Sequence, residues 1–160
     1  HPTLLLDKIS ALHLTPEQRE MRDIWHSVFG DEVAEIDSFL IRHSEAIPLI
    51  HKEEDRVVSM LYVVPLQVEE RRVAYIYAVA TLEEWRGRGI ATRLLTEALN
   101  LIDASGRFDC SALIPSSLDS LRLYARLGFE DSRYPMTFPT SDYLGTGSIP
   151  HDLAMLRPCK

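Results

Sequence analysis

One stretch near the middle of the chain constrains the fold more than any other. The run Val73–Thr81 is apolar and rich in β-branched and aromatic residues, which predicts a β-strand. A turn containing Gly87 and Gly89 follows. After it, apolar residues recur at helical spacing: Ile90, Leu94, Leu95, Ala98, Leu101 and Ile102. A strand, a glycine turn and a helix in this order form an anion cradle, because the first helical turn has unpaired N–H groups. We therefore expect a phosphate or pyrophosphate at this turn.

The glycine pattern distinguishes three kinds of phosphate-binding loop. A P-loop requires Gly-x-x-x-x-Gly-Lys-Ser/Thr, and the chain has no such run. A dinucleotide fingerprint requires Gly-x-Gly-x-x-Gly/Ala, whereas Thr92 occupies its third position. Arg86, Gly89 and Ala91 match the third pattern, Arg/Gln-x-x-Gly-x-Gly/Ala. A turn whose glycines serve only tight packing is the alternative.

A second motif lies further along the chain, in the run Leu-Tyr-Ala-Arg-Leu-Gly-Phe that ends at Phe129. A helix is predicted from Pro115 and a serine cap onwards, and Gly128 ends it. The two motifs, in this order, resemble the two signatures of the GNAT N-acetyltransferase superfamily. The resemblance covers roughly Val57 to Phe129.

The resemblance implies a fold, a reaction and a cofactor. The implied fold is α/β (α+β layered), with a central mixed, mostly antiparallel sheet flanked by helices. The implied reaction moves acetyl from acetyl-CoA, the co-substrate, to a primary amine of a small molecule or peptide by direct attack, without a metal. A CoA-binding sensor without catalysis and an interaction domain of the same fold are the alternatives.

The resemblance also assigns roles to individual residues. Backbone N–H groups from Gly87 to Thr92 would hold the pyrophosphate, and those near Val79–Thr81 would polarise the thioester carbonyl. Arg86 would pack structurally, while Arg88 would face solvent or the CoA phosphates. Ser117 occupies a position where the family often carries an asparagine. The expected acetyl-CoA contacts are Val79, Ala80, Thr81, Arg86, Gly87, Arg88, Gly89, Ile90, Ala91, Thr92 and Ser117.

Tyr124 matches the family's acid tyrosine and is the expected catalytic residue. A tyrosine hydroxyl, with a reference pKa of about 10 against roughly 8.5 for a thiol, can donate a hydrogen bond to the departing thiolate. A core tyrosine packed beside Leu121 and Leu127 is the alternative.

The general base is missing from its usual place. Many relatives use a glutamate on the strand before the loop, but Ala74–Thr81 contains no carboxylate. The polar side chains of that strand are Tyr75, Tyr77 and Thr81. The amine must still lose a proton before it attacks. We expect this proton to leave through ordered water or through a residue elsewhere, such as a histidine.

The remaining elements predict one N-acetyltransferase domain over residues 1–160. Thr15-Pro16-Glu17-Gln18 is a helix start, and Asp31 is the expected cap of a second helix. This pair, about residues 16–43, would be either a substrate wall or ordinary core cover. The acetyl-CoA core would span about 57–130. The segment 131–150 would be irregular, either a lid or a connector, before a final strand.

The strands before the glycine turn are separated by short polar connections. The predicted strands Ile47–His51, Arg56–Leu66 and Arg72–Thr81 would form an antiparallel meander. Acidic residues occupy both connections: Glu53–Asp55 the first, and Glu69 and Glu70 the second. We expect them to rim a site for a cationic amine at one end of the sheet, and solvated turn residues are the alternative.

The composition limits the class of partner. A net charge of −7 argues against a nucleic-acid partner, whose phosphates require a basic surface. The chain has no run of 18 apolar residues, which predicts no membrane span, and no signal-peptide pattern. A cytoplasmic protein with two unpaired cysteines is therefore expected, and a homodimer stays open.

Overall fold

The computed structural model describes residues 13–115, 118–131, 138–139, 148–149 and 154–160. Ser117 and most of the segment predicted to be irregular lie outside these residues. The described residues of that segment, Asp131 included, lie in short strands and not in irregular structure. The strands β6 (Phe138–Pro139) and β7 (Ser148–Ile149) pair with each other in a separate antiparallel sheet.

Two helices open the described chain. Helix α1 (Pro16–Phe29) begins at the predicted capping box, in which Thr15 and Gln18 exchange hydrogen bonds of 3.2 and 3.0 Å. Helix α2 (Val33–Arg42) has Glu32 as its N-cap, without a side-chain bond. The predicted Asp31 cap is therefore wrong. Its carboxylate instead accepts a hydrogen bond of 2.8 Å from the indole of Trp25.

The predicted meander is confirmed, with strands slightly longer than expected. Strands β1 (Ile47–Glu53), β2 (Arg56–Val68) and β3 (Arg71–Thr81) pair antiparallel in chain order. A short 3₁₀ turn (Glu83–Trp85) leads from β3 towards the glycines.

The second half of the sheet is reached through a crossover helix. Helix α3 (Ile90–Ser105) returns the chain to β4 (Cys110–Leu113), which pairs parallel with β3. Helix α4 (Leu118–Arg126) is followed by β5 (Glu130–Asp131), and β8 (Met155–Pro158) lies between β4 and β5, antiparallel to both. The order β1-β2-β3-β4-β8-β5 is the expected mixed, mostly antiparallel sheet.

The two faces of the sheet carry different cores. The α1/α2 face is aromatic: Trp25, Phe39, Tyr62 and Tyr75 are at most 6% exposed and belong to one cluster. The α3 face is aliphatic. Its helix contributes the buried residues Ile90, Leu94, Leu95, Ala98, Leu99 and Ile102. Leu101, which the spacing placed among them, is 56% exposed and lies on the solvent side of α3.

A buried ion pair fastens the last strand to α3. Arg157 in β8 donates two hydrogen bonds, of 3.1 and 2.9 Å, to the carboxylate of Asp103. The two side chains are 8% and 16% exposed. The hydrogen bonds from Arg157 are the main reason that the pKa of Asp103 lies below its usual value.

Candidate active site

A β-bulge interrupts β3 shortly before the glycine turn. Met60 pairs with Ala80 and Tyr62 pairs with Tyr77, so two residues of β3 stand opposite one of β2. Ala78 has a φ of 57°, which is uncommon for a residue other than glycine. As a result, Tyr77 and Ala78 both pack on the aromatic face, and the alternation of side chains between the two faces is shifted by one residue after the bulge.

Beyond the middle of β3, its pairing with β4 ends. The parallel ladder runs from Val73 to Tyr75 on β3 and stops opposite Ala112. Strand β3 itself continues to Thr81, still paired with β2. Among the described strands, none pairs with this edge of β3 after Tyr75. Within the described structure, this edge of β3 is therefore open at the stretch where a thioester carbonyl was expected.

The two arginines of the loop turn away from the glycines. Arg86 donates a hydrogen bond of 2.9 Å from Nε to the carbonyl of Thr81, at the end of β3. The guanidinium of Arg88 lies 4.6 Å above the ring of Trp85 and donates to the carbonyl of Glu84 at 3.1 Å. Arg86 thus makes a structural contact, while Arg88 is exposed beside the turn.

The glycines give the start of α3 an uncovered row of amides. Gly87 and Gly89 have φ values of 75° and 78°, and Gly89 is the N-cap without a side-chain bond. A Cβ at either glycine would meet no atom within 4 Å. The amides of Ile90, Ala91 and Thr92 occupy the first helical turn, and the described part of the chain supplies them with no acceptor. Three aligned donors at the positive end of a helix suit an anion.

Tyr124 is held by the turn that ends α4. Phe129 N–H donates to the carbonyl of Tyr124 at 3.0 Å, and Gly128 N–H donates to the carbonyl of Ala125 at 3.1 Å. These two bonds form a Schellman motif, which explains why glycine and phenylalanine follow the tyrosine at this spacing. The rings of Tyr124 and Phe129 meet edge to face, with centroids 6.1 Å apart.

The side chain of Tyr124 is 7% exposed. It lies in the cluster on the aliphatic face that contains Ile76 and has Val79 at its border. Burial raises the pKa of the Tyr124 phenol, so at neutral pH the hydroxyl is a hydrogen-bond donor. The structure shows the packing role, and this position is compatible with the expected catalytic role.

A histidine that the sequence did not single out lies on the aromatic face. His43 is the C-cap of α2, and its ring centroid is 4.9 Å from that of Phe39. Phe39 in turn is 5.1 Å from Tyr77, the residue before the bulge. The His43 side chain is 14% exposed, with Nδ1 3.7 Å from Oε1 of Glu45. The spacing of four residues from Phe39 on an amphipathic helix was the signal that could have identified it.

The acidic turns do not rim one site. The turn at Glu54 and Asp55 joins β1 to β2, whereas Glu69 and Glu70 join β2 to β3. Consecutive turns of a meander lie at opposite ends of the strands, so this expectation is wrong. The first turn lies at the same end of the sheet as the glycine loop, where Arg56 donates to Glu84 at 2.9 Å.

Comparison with known proteins identifies the family. The model of the acetyltransferase (GNAT) family matches residues 11–129, so the chain belongs to this family and is an acyltransferase. No curated protein sequence gives a match.

Several solved structures share the fold. A GNAT family N-acetyltransferase (YhbS) from Escherichia coli in complex with CoA has a TM-score of 0.68 and 16% identity, over 92% of this chain and 79% of that one. An aminoglycoside 6'-acetyltransferase type Ii has a TM-score of 0.63 and 17% identity, over 90% of both chains. An acetyltransferase from Brucella melitensis in complex with acetyl-CoA has a TM-score of 0.58 and 20% identity, over 74% of this chain and 79% of that one.

The described residues contain no helix long and apolar enough to cross a membrane. They also contain no group of three or more histidine, cysteine, aspartate or glutamate side chains placed to hold a metal ion.

Proposed function

We propose that this protein is an N-acetyltransferase that moves the acetyl group of acetyl-CoA to a primary amine by direct attack. One observation carries the proposal: the open edge of β3 and the unpaired amides of α3 lie at the same end of one strand. A ligand with a pyrophosphate and a distant carbonyl can use both.

Acetyl-CoA would occupy this end of the strand in an extended form. The amides from Gly87 to Thr92 would bind its pyrophosphate, and exposed Arg88 would add positive charge beside it. The backbone N–H groups of Val79–Thr81, at the open edge of β3, would donate to the thioester oxygen and stabilise the negative charge that develops there.

The chemical step needs a donor for the leaving group. The amine nitrogen forms a bond to the carbonyl carbon, the carbon–sulfur bond breaks, and the electron pair leaves on sulfur. The hydroxyl of Tyr124 would hydrogen-bond to this thiolate, since burial keeps the phenol protonated. Its place on the aliphatic face with Ile76 and Val79 supports this role.

The proton of the amine would pass to His43, through water. The residues Ala74–Thr81 carry no carboxylate, so the base has to come from another element. His43 is a partly exposed imidazole that joins the aromatic face at Phe39, next to Tyr77. Oε1 of Glu45 lies 3.7 Å from its Nδ1.

A thiol-release assay tests the proposal. Acetyl-CoA is mixed with the protein and with a panel of polyamines, aminoglycosides, peptide N-termini and lysine peptides, and free CoA thiol is measured against an enzyme-free control. We expect amine-dependent thiol release with at least one class. Calorimetric binding of acetyl-CoA without release for any amine would instead support a CoA-binding sensor. No binding at all would contradict the proposal.

A further inference from the structure

A buried pair of hydroxyl groups lies at the base of the acetyl-CoA loop. Ser59 on β2 is 0% exposed and stands opposite Thr81, the last residue of β3. The two side-chain oxygens are 2.8 Å apart. Ser59 Oγ is also 3.2 Å from the carbonyl of Ala80, to which it donates.

The direction of these bonds follows from counting protons. A serine hydroxyl has a single proton, and Ser59 uses it on the carbonyl of Ala80. The bond between the hydroxyls must therefore be donated by Thr81, with Ser59 as its acceptor. One serine on β2 thus holds both the side chain of Thr81 and the carbonyl before it.

The same point of the chain anchors the loop. The carbonyl of Thr81 accepts the Nε–H of Arg86, and the amide of Leu82 donates to the carbonyl of Val58 at 2.9 Å. Arg86 reaches this carbonyl only if the last peptide of β3 keeps its orientation. The hydroxyl pair holds the peptide before this one, between Ala80 and Thr81, together with the Thr81 side chain, and so fixes the residue whose carbonyl accepts Arg86.

We propose that Ser59 is a positioning residue for acetyl-CoA binding, although it touches no ligand. Ser59 orients Thr81, and the carbonyl of Thr81 accepts a hydrogen bond from Arg86. This bond fixes the course of the loop that leads to Gly89 and the first amides of α3. This inference rests on the proposed function for its ligand, but the effect on the loop itself is independent of that ligand.

Ser111 offers a matched control. It is also a serine in the sheet, on β4, and it is also 0% exposed. In the described part of the chain its hydroxyl has no hydrogen-bond partner. Ser111→Ala and Ser59→Ala remove the same atom from equally buried sites, but only Ser59→Ala breaks the link to the loop.

The test measures acetyl-CoA affinity and turnover for both variants. We expect Ser59→Ala to raise the Kd and KM for acetyl-CoA about tenfold, as for one lost hydrogen bond, with a smaller change in kcat. Ser111→Ala should keep both at the parental value. In the double variant Ser59→Ala/Thr81→Val the losses of affinity should be less than additive, because both changes remove the same hydrogen bond between the two hydroxyls.

Amide hydrogen exchange separates this inference from the proposed function. In Ser59→Ala the amides of Leu82 and Trp85 should exchange faster, while Ser111→Ala leaves them unchanged. If the parental protein does not bind acetyl-CoA, the proposed function is wrong. The exchange rates would still test whether Ser59 positions the loop. Parental exchange at Leu82 and Trp85 in Ser59→Ala, or a lower melting temperature with an unchanged KM, would overturn it.

Discussion

The two ends of β3 belong to one strand, yet they are built differently. At the hairpin end, Val73–Tyr75 pairs with β2 on one side and β4 on the other, and Arg72 and Asp109 exchange two backbone-anchored hydrogen bonds of 2.8 Å. At the loop end, β2 is the one described strand that pairs with β3, which carries a bulge at Ala78 and leads to a helix whose first amides have no acceptor among the described residues. Pairing on both edges stabilises a strand, whereas an unpaired edge leaves backbone hydrogen-bond donors that a ligand can use. The following changes test this division, from the largest expected effect to the smallest.

Substituting Gly89→Glu should abolish acetyl-CoA binding, with an affinity loss of at least about 100-fold. The change puts bulk and negative charge where the pyrophosphate would lie. Gly106→Glu is the matched control, because both glycines flank α3, have positive φ values of 78° and 65°, and face open space. Calorimetry on the two folded variants checks this. Equal acetyl-CoA affinities of the two variants would show that the pyrophosphate does not bind at Gly89.

Substituting Tyr124→Phe should lower kcat by about 10²–10⁴-fold, because the thiolate loses its donor. The ring and its contact with Phe129 remain, so acetyl-CoA affinity should hardly change and the melting temperature should stay within a few degrees. Steady-state kinetics and calorimetry measure the two effects. A variant that turns over at the parental rate would show that Tyr124 is a packing residue.

Substituting His43→Gln should lower kcat by about 100-fold near neutral pH, because a glutamine side chain cannot accept the amine proton. His26→Gln is the control: this histidine belongs to α1, and its ring bonds to the carbonyl of Asp31. A pH–rate profile of the three proteins decides the matter. A His43→Gln profile parallel to that of the parent would exclude His43 as the base.

Substituting Asp103→Asn should lower the stability of the fold at neutral pH. It should leave acetyl-CoA affinity unchanged, because Asp103 lies at the end of α3 far from the loop. Arg157 lowers the pKa of Asp103, so the ionised carboxylate adds stability above its unfolded pKa, and this contribution is lost as the pH falls through the folded pKa. The melting temperature of the parent should fall more steeply below about pH 4 than that of the variant. Identical acid profiles would show that the ion pair adds nothing.

Sequence patterns predicted the elements at both ends of β3, because alternation, helical spacing and caps act over a few residues. The meander, the crossover helix and the turn at Gly128 are examples. The pattern also predicted the tight turn at Gly87 and Gly89, which have the positive φ values that such a turn needs.

Features that depend on contacts between distant residues could not be predicted. Ala78 adopts a left-handed conformation without being glycine, because the register with β2 imposes it. Asp31 is not the cap of α2, and its carboxylate instead accepts a hydrogen bond from the indole of Trp25 on the preceding helix. The acidic turns are a different case, because the predicted meander already implied that consecutive turns lie at opposite ends of the strands.

A titration of ¹⁵N-labelled protein with acetyl-CoA, followed through its backbone amide signals, examines both ends of β3 at once. Binding at the loop end predicts large shifts for the amides of Gly87–Thr92 and Val79–Thr81. The amides of Glu69 and Glu70, at the hairpin end, should stay at their original positions. Large shifts at Glu69 and Glu70 with unchanged signals at Gly87–Thr92 would contradict the assignment of acetyl-CoA to the open end of the strand.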